Sequence, residues 1–148
     1  MKRYLKPTAF ALLLGVVAAQ LIRPDTVNPP VNPKRSLWND RRVDPLVASV
    51  LRRACANCHS HETEWPWYSK ISPVSWMLAR HVRNGRAKLN FSDWSGASPN
   101  QLEEIYDAID KQDMPPAGYS LMHPEARLSP ADREMLKDWA DGKLAQAH

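Results

Sequence analysis

At 148 residues the chain has room for one modest domain and some accessory segments. Its 43% hydrophobic residues suffice for a small core and exclude a chain too polar to fold. The formal charge of +4 is concentrated at one end. With Lys2, Arg3 and Lys6 set aside, 17 basic residues face 16 acidic ones. No basic stripe remains, which argues against nucleic acid as a partner.

Those three cations open an export-type N-terminus. No acid occurs in Met1–Ala19, and an apolar run extends from Ala9 to Ile22, broken by Gln20. A secretory signal combines a basic start, an apolar stretch of about 7–15 residues and a small-residue cleavage site. Val17-Ala18-Ala19 fits that site. A full membrane span needs about 20 apolar residues. This run is shorter, although Leu21 and Ile22 extend it past the cut. Residues 1–22 therefore read as a signal peptide or a membrane anchor, with the anchor favoured. Either places the remainder outside the cytoplasm, in the periplasm of a Gram-negative host.

Residues 23–43 read as a Pro-rich tether. Pro24, Pro29, Pro30 and Pro33 alternate with polar residues, which favours an extended polyproline II path of about 3.1 Å per residue. The alternative is a loop wrapped over the domain, with Leu37 and Trp38 docked on it.

From residue 44 onward the punctuation is regular. Asp44-Pro45, Ser72-Pro73, Ser98-Pro99 and Ser129-Pro130 each set a capping residue before a proline at a helix start. Ser98 has Gln101 three positions on, a capping box. Apolar stripes follow each start: Leu46, Val47, Val50, Leu51 and Ala54; then Val74, Met77, Leu78 and Val82. The next are Leu102, Ile105, Tyr106 and Ile109, and then Met135, Leu136 and Trp139. Asn84-Gly85 and Asp141-Gly142 read as helix stops. The expectation is an all-α domain of four helices over residues 44–148, with one long loop from Asp113 to Leu128.

The first helix ends in Cys55-Ala56-Asn57-Cys58-His59. C-x-x-C-H is the attachment motif of c-type haem. Two thiols at this spacing reach the two vinyl groups on one porphyrin edge, and the adjacent histidine projects onto the iron. Covalent attachment retains a haem in a domain too small to enclose it. Three rivals weigh less. A thioredoxin-like redox pair needs a βαβ context that is absent. A zinc site would draw Cys55, Cys58, His59 and His61 from seven residues with no second cluster. A disulfide between such near neighbours closes a tiny loop and stabilises little.

A wider set of motifs resembles the bacterial haem-binding domain family. They are Cys55-x-x-Cys58-His59-Ser60, Trp65-Pro66-Trp67-Tyr68-Ser69, Pro73-Val74-Ser75-Trp76 and His81-Val82. They continue with Gly85-Arg86, Leu89-Asn90-Phe91-Ser92-x-Trp94 and Met114-Pro115. Tyr119, His123-Pro124-x-Ala126-x-Leu128-Ser129 and Trp139 complete them. The resemblance implies a small cytochrome c-like helical domain around one covalently bound haem, behind an N-terminal hydrophobic segment.

The iron's second axial ligand is expected from Met114. It follows the third helix, lies 55 residues after His59 and precedes Pro115-Pro116. Those prolines stiffen the loop and remove two N–H donors. His123, in the same loop, is the alternative. Met77, Met122 and His81 also compete, but Met77 and His81 share a helix and read as core or surface. Trp65, Trp67 and Tyr68 read either as haem walls or as a cap on the core, and six tryptophans suit a chain that wraps a flat ligand. Carbonyls in Trp65–Pro73 are expected to accept the His59 ring N–H. Of Arg80, Arg83 and Arg86, at least two are expected to be solvated and any other to meet a propionate.

One haem motif and no catalytic constellation favour an electron carrier with redox partner proteins over a gas or redox sensor. A peroxidase-type enzyme ranks last.

Overall fold

The computed structural model describes residues 2–143 and, within them, the side chains from Pro7 onward. The basic side chains of Lys2, Arg3 and Lys6, and residues 144–148, lie outside that description. Every regular element among the described residues is helical, as the capping pattern predicts. The α-helices are α1 (Lys2–Ala19), α2 (Pro45–Ala54), α3 (Ala56–His59) and α4 (Val74–Lys88). They continue with α5 (Pro99–Asp110), α6 (Ala117–Met122) and α7 (Pro130–Ala140).

Three of the four expected starts carry their caps. The Asp44 carboxylate accepts from Leu46 N–H. Ser98–Gln101 and Ser129–Asp132 are complete capping boxes. Each such cap is worth about 1 kcal/mol. Ser72 departs from the expectation. The N-cap of α4 is Pro73, and the Ser72 hydroxyl instead meets that of Ser75 at 3.2 Å. The stop at Asp141-Gly142 holds: Gly142 adopts φ +73°, and Lys143 N–H reaches back to Asp138 O at 2.8 Å. The stop at Asn84-Gly85 does not, because α4 runs through both residues to Lys88. The expected loop 113–128 contains α6 and a further short turn, Pro124–Ala126.

The core forms where α2 and α5 meet α7. Val47, Val50, Leu51, Ile109, Leu136 and Trp139 are buried there with Leu37, Phe91 and Trp94. Trp94 stacks on Trp139 with ring centroids 6.3 Å apart, and Phe91 sits edge-on to Trp38 at 5.5 Å. The α2 stripe buries all its members except Leu46. In α4 only Leu78 and Val82 of the expected stripe are buried, while Met77 is 53% exposed.

Residues 23–43 are laid against the domain, the second of the two readings of this stretch. Several of its polar groups bond to the domain, and a free extended path would forfeit those bonds. Asn28 Nδ2 donates to Thr63 O at 2.8 Å, and the carbonyl of Pro30 accepts from His61 Nδ1 at 3.1 Å. Leu37 is 1% exposed and donates its N–H to Phe91 O at 2.8 Å. Just before this stretch, the Gln20 amide makes a two-point clamp on Ser72. Its Nε2 donates to Ser72 O at 3.1 Å, and its Oε1 accepts Ser72 N–H at 3.0 Å. Phe10, Leu12, Leu13 and Leu14 of α1 are more than half exposed. Among the described residues no helix is long and apolar enough to cross a membrane.

Asp40 pins the docked segment to the core by accepting Trp94 Nε1–H at 2.9 Å. The Arg42 guanidinium beside it holds the Asp40 carboxyl down at about 2. A depressed folded-state value means the contribution is complete above the unfolded value near 4 and disappears as pH falls toward about 2. Urea midpoints of the wild type and Asp40→Asn are therefore expected to differ at pH 6, with the wild type more stable, and to converge near pH 2.

Candidate cofactor site

Helix α3 holds the last four residues of the cysteine–histidine motif, and Cys55 is its N-cap. Helices below about 12–15 residues are marginal alone, so its orientation has to come from neighbours. Cys58 and His59 N–H both donate to Cys55 O, at 3.1 and 3.0 Å, and wind the motif into one turn.

Helix α4 supplies the first brace. A Cβ at Gly85 would lie 2.6 Å from Cys58 O. Gly85 is therefore a close-approach residue inside a helix, where the local pattern reads as a stop. Arg86, next along, donates Nε to Ser60 O at 2.7 Å. Its Nη2 donates to Thr63 Oγ1 and to Asn28 Oδ1, each at 2.8 Å. Thr63 in turn donates its hydroxyl to Asn57 O at 2.7 Å. Arg86 thus ties α4, the motif and the docked segment together. Arg80 and Arg83 are exposed, as expected of at least two of the three.

The second brace is the extended stretch after α4. Phe91 N–H donates to His59 O at 2.7 Å. The His59 ring meets a carbonyl at Nδ1, that of Leu89 at 3.1 Å. A carbonyl only accepts, so Nδ1 carries the proton and the lone pair stays on Nε2. This corrects the expected acceptor in Trp65–Pro73. The segment that follows α4 is closer to the ring than the loop that follows the motif. Burial lowers the pKa of His59 against the raising effect of that bond, which favours the neutral imidazole a metal requires.

A cavity of about 300 Å³ opens beside the motif. That is the small end of the range for ligand pockets, about 300–1,000 Å³. Leu51, Leu89, Phe91, Ile105 and Ile109 give it apolar walls. Cys55, His59 and Met114 all line it, so residues far apart in sequence bring a thiol, an imidazole and a thioether to one space. Cys58 lies outside the lining, partly buried. Both cysteines are free thiols. Burial pushes the Cys55 thiol up to about 12 and raises Cys58 too. Neither has the lowered value of a reactive thioredoxin-like cysteine.

The rival ligands are placed elsewhere. His123 does not line the cavity. Its Nε2 accepts from the Tyr68 hydroxyl at 2.7 Å, its Nδ1 faces Glu125 Oε1 at 2.9 Å, and its ring stacks on Tyr119 with centroids 4.3 Å apart. Both ring nitrogens are engaged. Met77 and Met122 are more than half exposed, and His81 is exposed. A zinc set with His61 is likewise not assembled. His61 donates Nδ1–H to Pro30 O, and its Nε2 accepts from Asn90. Among the described residues no three His, Cys, Asp or Glu side chains group as a metal site.

No tryptophan lines the cavity. Trp94 and Trp139 are core, Trp38 carries the Arg52 guanidinium 4.3 Å above its ring, and Trp67 is 71% exposed. The tryptophans therefore fill the core or sit at the surface, and aliphatic residues with Phe91 make the walls. Sequence reasoning left Leu89 and Phe91 without a role, read Gly85 as a stop, and set Arg86 among solvated or propionate-pairing arginines rather than as a brace. Their signal was present as Gly85-Arg86 and Leu89-Asn90-Phe91 in the family-like motifs.

The donor set and the apolar walls fit a haem: two thiols for covalent bonds, an imidazole with a free Nε2, and a thioether. The profile of the haem-binding domain family matches residues 14–142. No curated protein and no solved structure matches the chain.

Gly85→Ala is expected to cost about 1–3 kcal/mol, the range for forcing a methyl into a packed site. Arg83→Ala, on the exposed face of the same helix, is expected to change stability little. Denaturant midpoints of the two variants check the contrast.

Proposed function

Because the chain belongs to the haem-binding domain family and so binds haem, we propose that it is a single-haem c-type cytochrome serving extracytoplasmic electron transfer. The observation that carries this reading is the convergence of Cys55, His59 and Met114 on one cavity. When bound, haem supplies a reversible one-electron iron couple.

The chain's own residues account for the rest. Cys55 and Cys58 would form thioether bonds with the vinyl groups. His59 would ligate iron through Nε2, with its ring orientation fixed by the Leu89 carbonyl. Met114 would supply a further iron ligand, from a backbone held by its N–H to Ala108 O at 3.2 Å. A thioether favours ferrous iron and raises the potential, whereas a second histidine would lower it. Leu51, Ile105 and Ile109 would exclude water from the ring face. Partners would be redox proteins that approach an exposed haem edge.

The basic start and the exposed apolar side chains of α1 support export and retention at the membrane surface. Retention predicts the intact chain in membrane fractions. A mature N-terminus at Gln20 would replace the anchor with a cleaved signal and leave export standing.

Covalent attachment predicts that acid–acetone extraction leaves the haem mass on the chain, and that Cys55→Ala or Cys58→Ala impairs attachment. Complete release of haem from the wild type would overturn it.

Met114→Ala is expected to convert a low-spin spectrum to high-spin and to create carbon monoxide binding in the reduced protein. His123→Ala is expected to leave ligation unchanged. The reverse pattern would assign the ligand to His123. Rapid peroxide turnover or avid carbon monoxide binding by the wild type would favour an enzyme or a sensor.

A further inference from the structure

A second cavity, of about 390 Å³, lies on the other side of the Met114-Pro115 loop. Met114 lines the first cavity and Pro115 the second, so two consecutive residues form the partition between them. The second is lined by Arg127 and Arg133, with Gln112 and Ser120 as further polar groups. No carboxylate is among its lining residues.

One of the two arginines is left unsatisfied inside the fold. Arg133 Nη1 is buried and has no hydrogen-bond partner among the described residues. A buried unpaired donor on a charged group is destabilising unless something accepts from it. Arg127 is held by one bond, Nε to Ser120 O at 3.0 Å, which leaves its two Nη nitrogens without a partner among the described residues. The nearby acids are committed elsewhere. Asp132 accepts from Arg53 and from Ser129, and Glu125 faces His123. Two guanidiniums with free N–H donors, a Gln amide, a Ser hydroxyl and no acid make a receptor for an oxyanion, since planar guanidinium forks match phosphate and carboxylate oxygens.

We propose that the cavity between Arg127 and Arg133 binds a small oxyanion of the phosphate or carboxylate class, independently of the haem. The occupant sits against Pro115, so it braces the loop that presents Met114.

The test uses the full-length, haem-loaded protein and inorganic phosphate, exchanged for chloride at constant ionic strength in a calorimetric titration. Saturable one-to-one binding is expected, weakened about tenfold or more in Arg133→Gln and in Arg127→Gln. Arg127 is exposed, so its variant decides the matter should Arg133→Gln fail to fold. Heats no different from the chloride control overturn the proposal, because a haem propionate in the cavity would leave nothing to titrate. Binding that both variants retain unchanged also overturns it, as an adventitious ion only. The readout requires neither electron transfer nor a covalent haem, so its failure is separable from failure of the cytochrome reading.

Discussion

The cysteine–histidine turn cannot orient itself. A single helical turn has almost no stability of its own, yet the iron ligation proposed for His59 requires its imidazole to be aimed. Everything around α3 answers that requirement. Gly85 lets α4 pass at a distance any side chain would block. Arg86 gathers Ser60, Thr63 and Asn28 onto one guanidinium. The Leu89 and Phe91 backbones hold the two ends of His59. Removing any one of these weakens the aim of the ring and the packing of the domain together, because the same atoms serve both.

Helix starts and the motif were readable because their signals are local. A capping residue, a proline and an apolar stripe lie within one or two turns, and three of four starts formed with their caps in place. The readings that failed depend on distant partners. Gly85 reads as a stop unless the carbonyl of Cys58, 27 residues earlier, is known to lie beside it. The acceptor for His59 is 30 residues away. Six tryptophans suggested a wrapped ligand, but composition does not say which side of a core a ring faces. Their placement follows from the Phe91–Trp94–Trp139 cluster.

The loop after α5 shows the same division. Proline content marked it as stiff, and it brings Met114 to the cavity shared with His59 and Cys55. Its tail was invisible in outline. Residues 117–126 fold into α6 and a short turn, and Tyr119 accepts a hydrogen bond from Asn57 at 2.8 Å. Asn57 stands between the two cysteines, so the loop that carries the thioether is bonded to the turn that carries the thiols. His123 is occupied within this arrangement by Tyr68, Tyr119 and Glu125.

A free polyproline stretch of residues 23–43 would have given the domain a leash of about 65 Å, at about 3.1 Å per residue. Docking takes up that slack. Asn28, Pro30 and Leu37 lie on the domain, and the Gln20 clamp holds the end of α1 at Ser72. In the membrane-held arrangement proposed above, the domain could not sweep a volume in search of partners. It would ride close to the lipid surface, and electron exchange would favour proteins moving in that same plane.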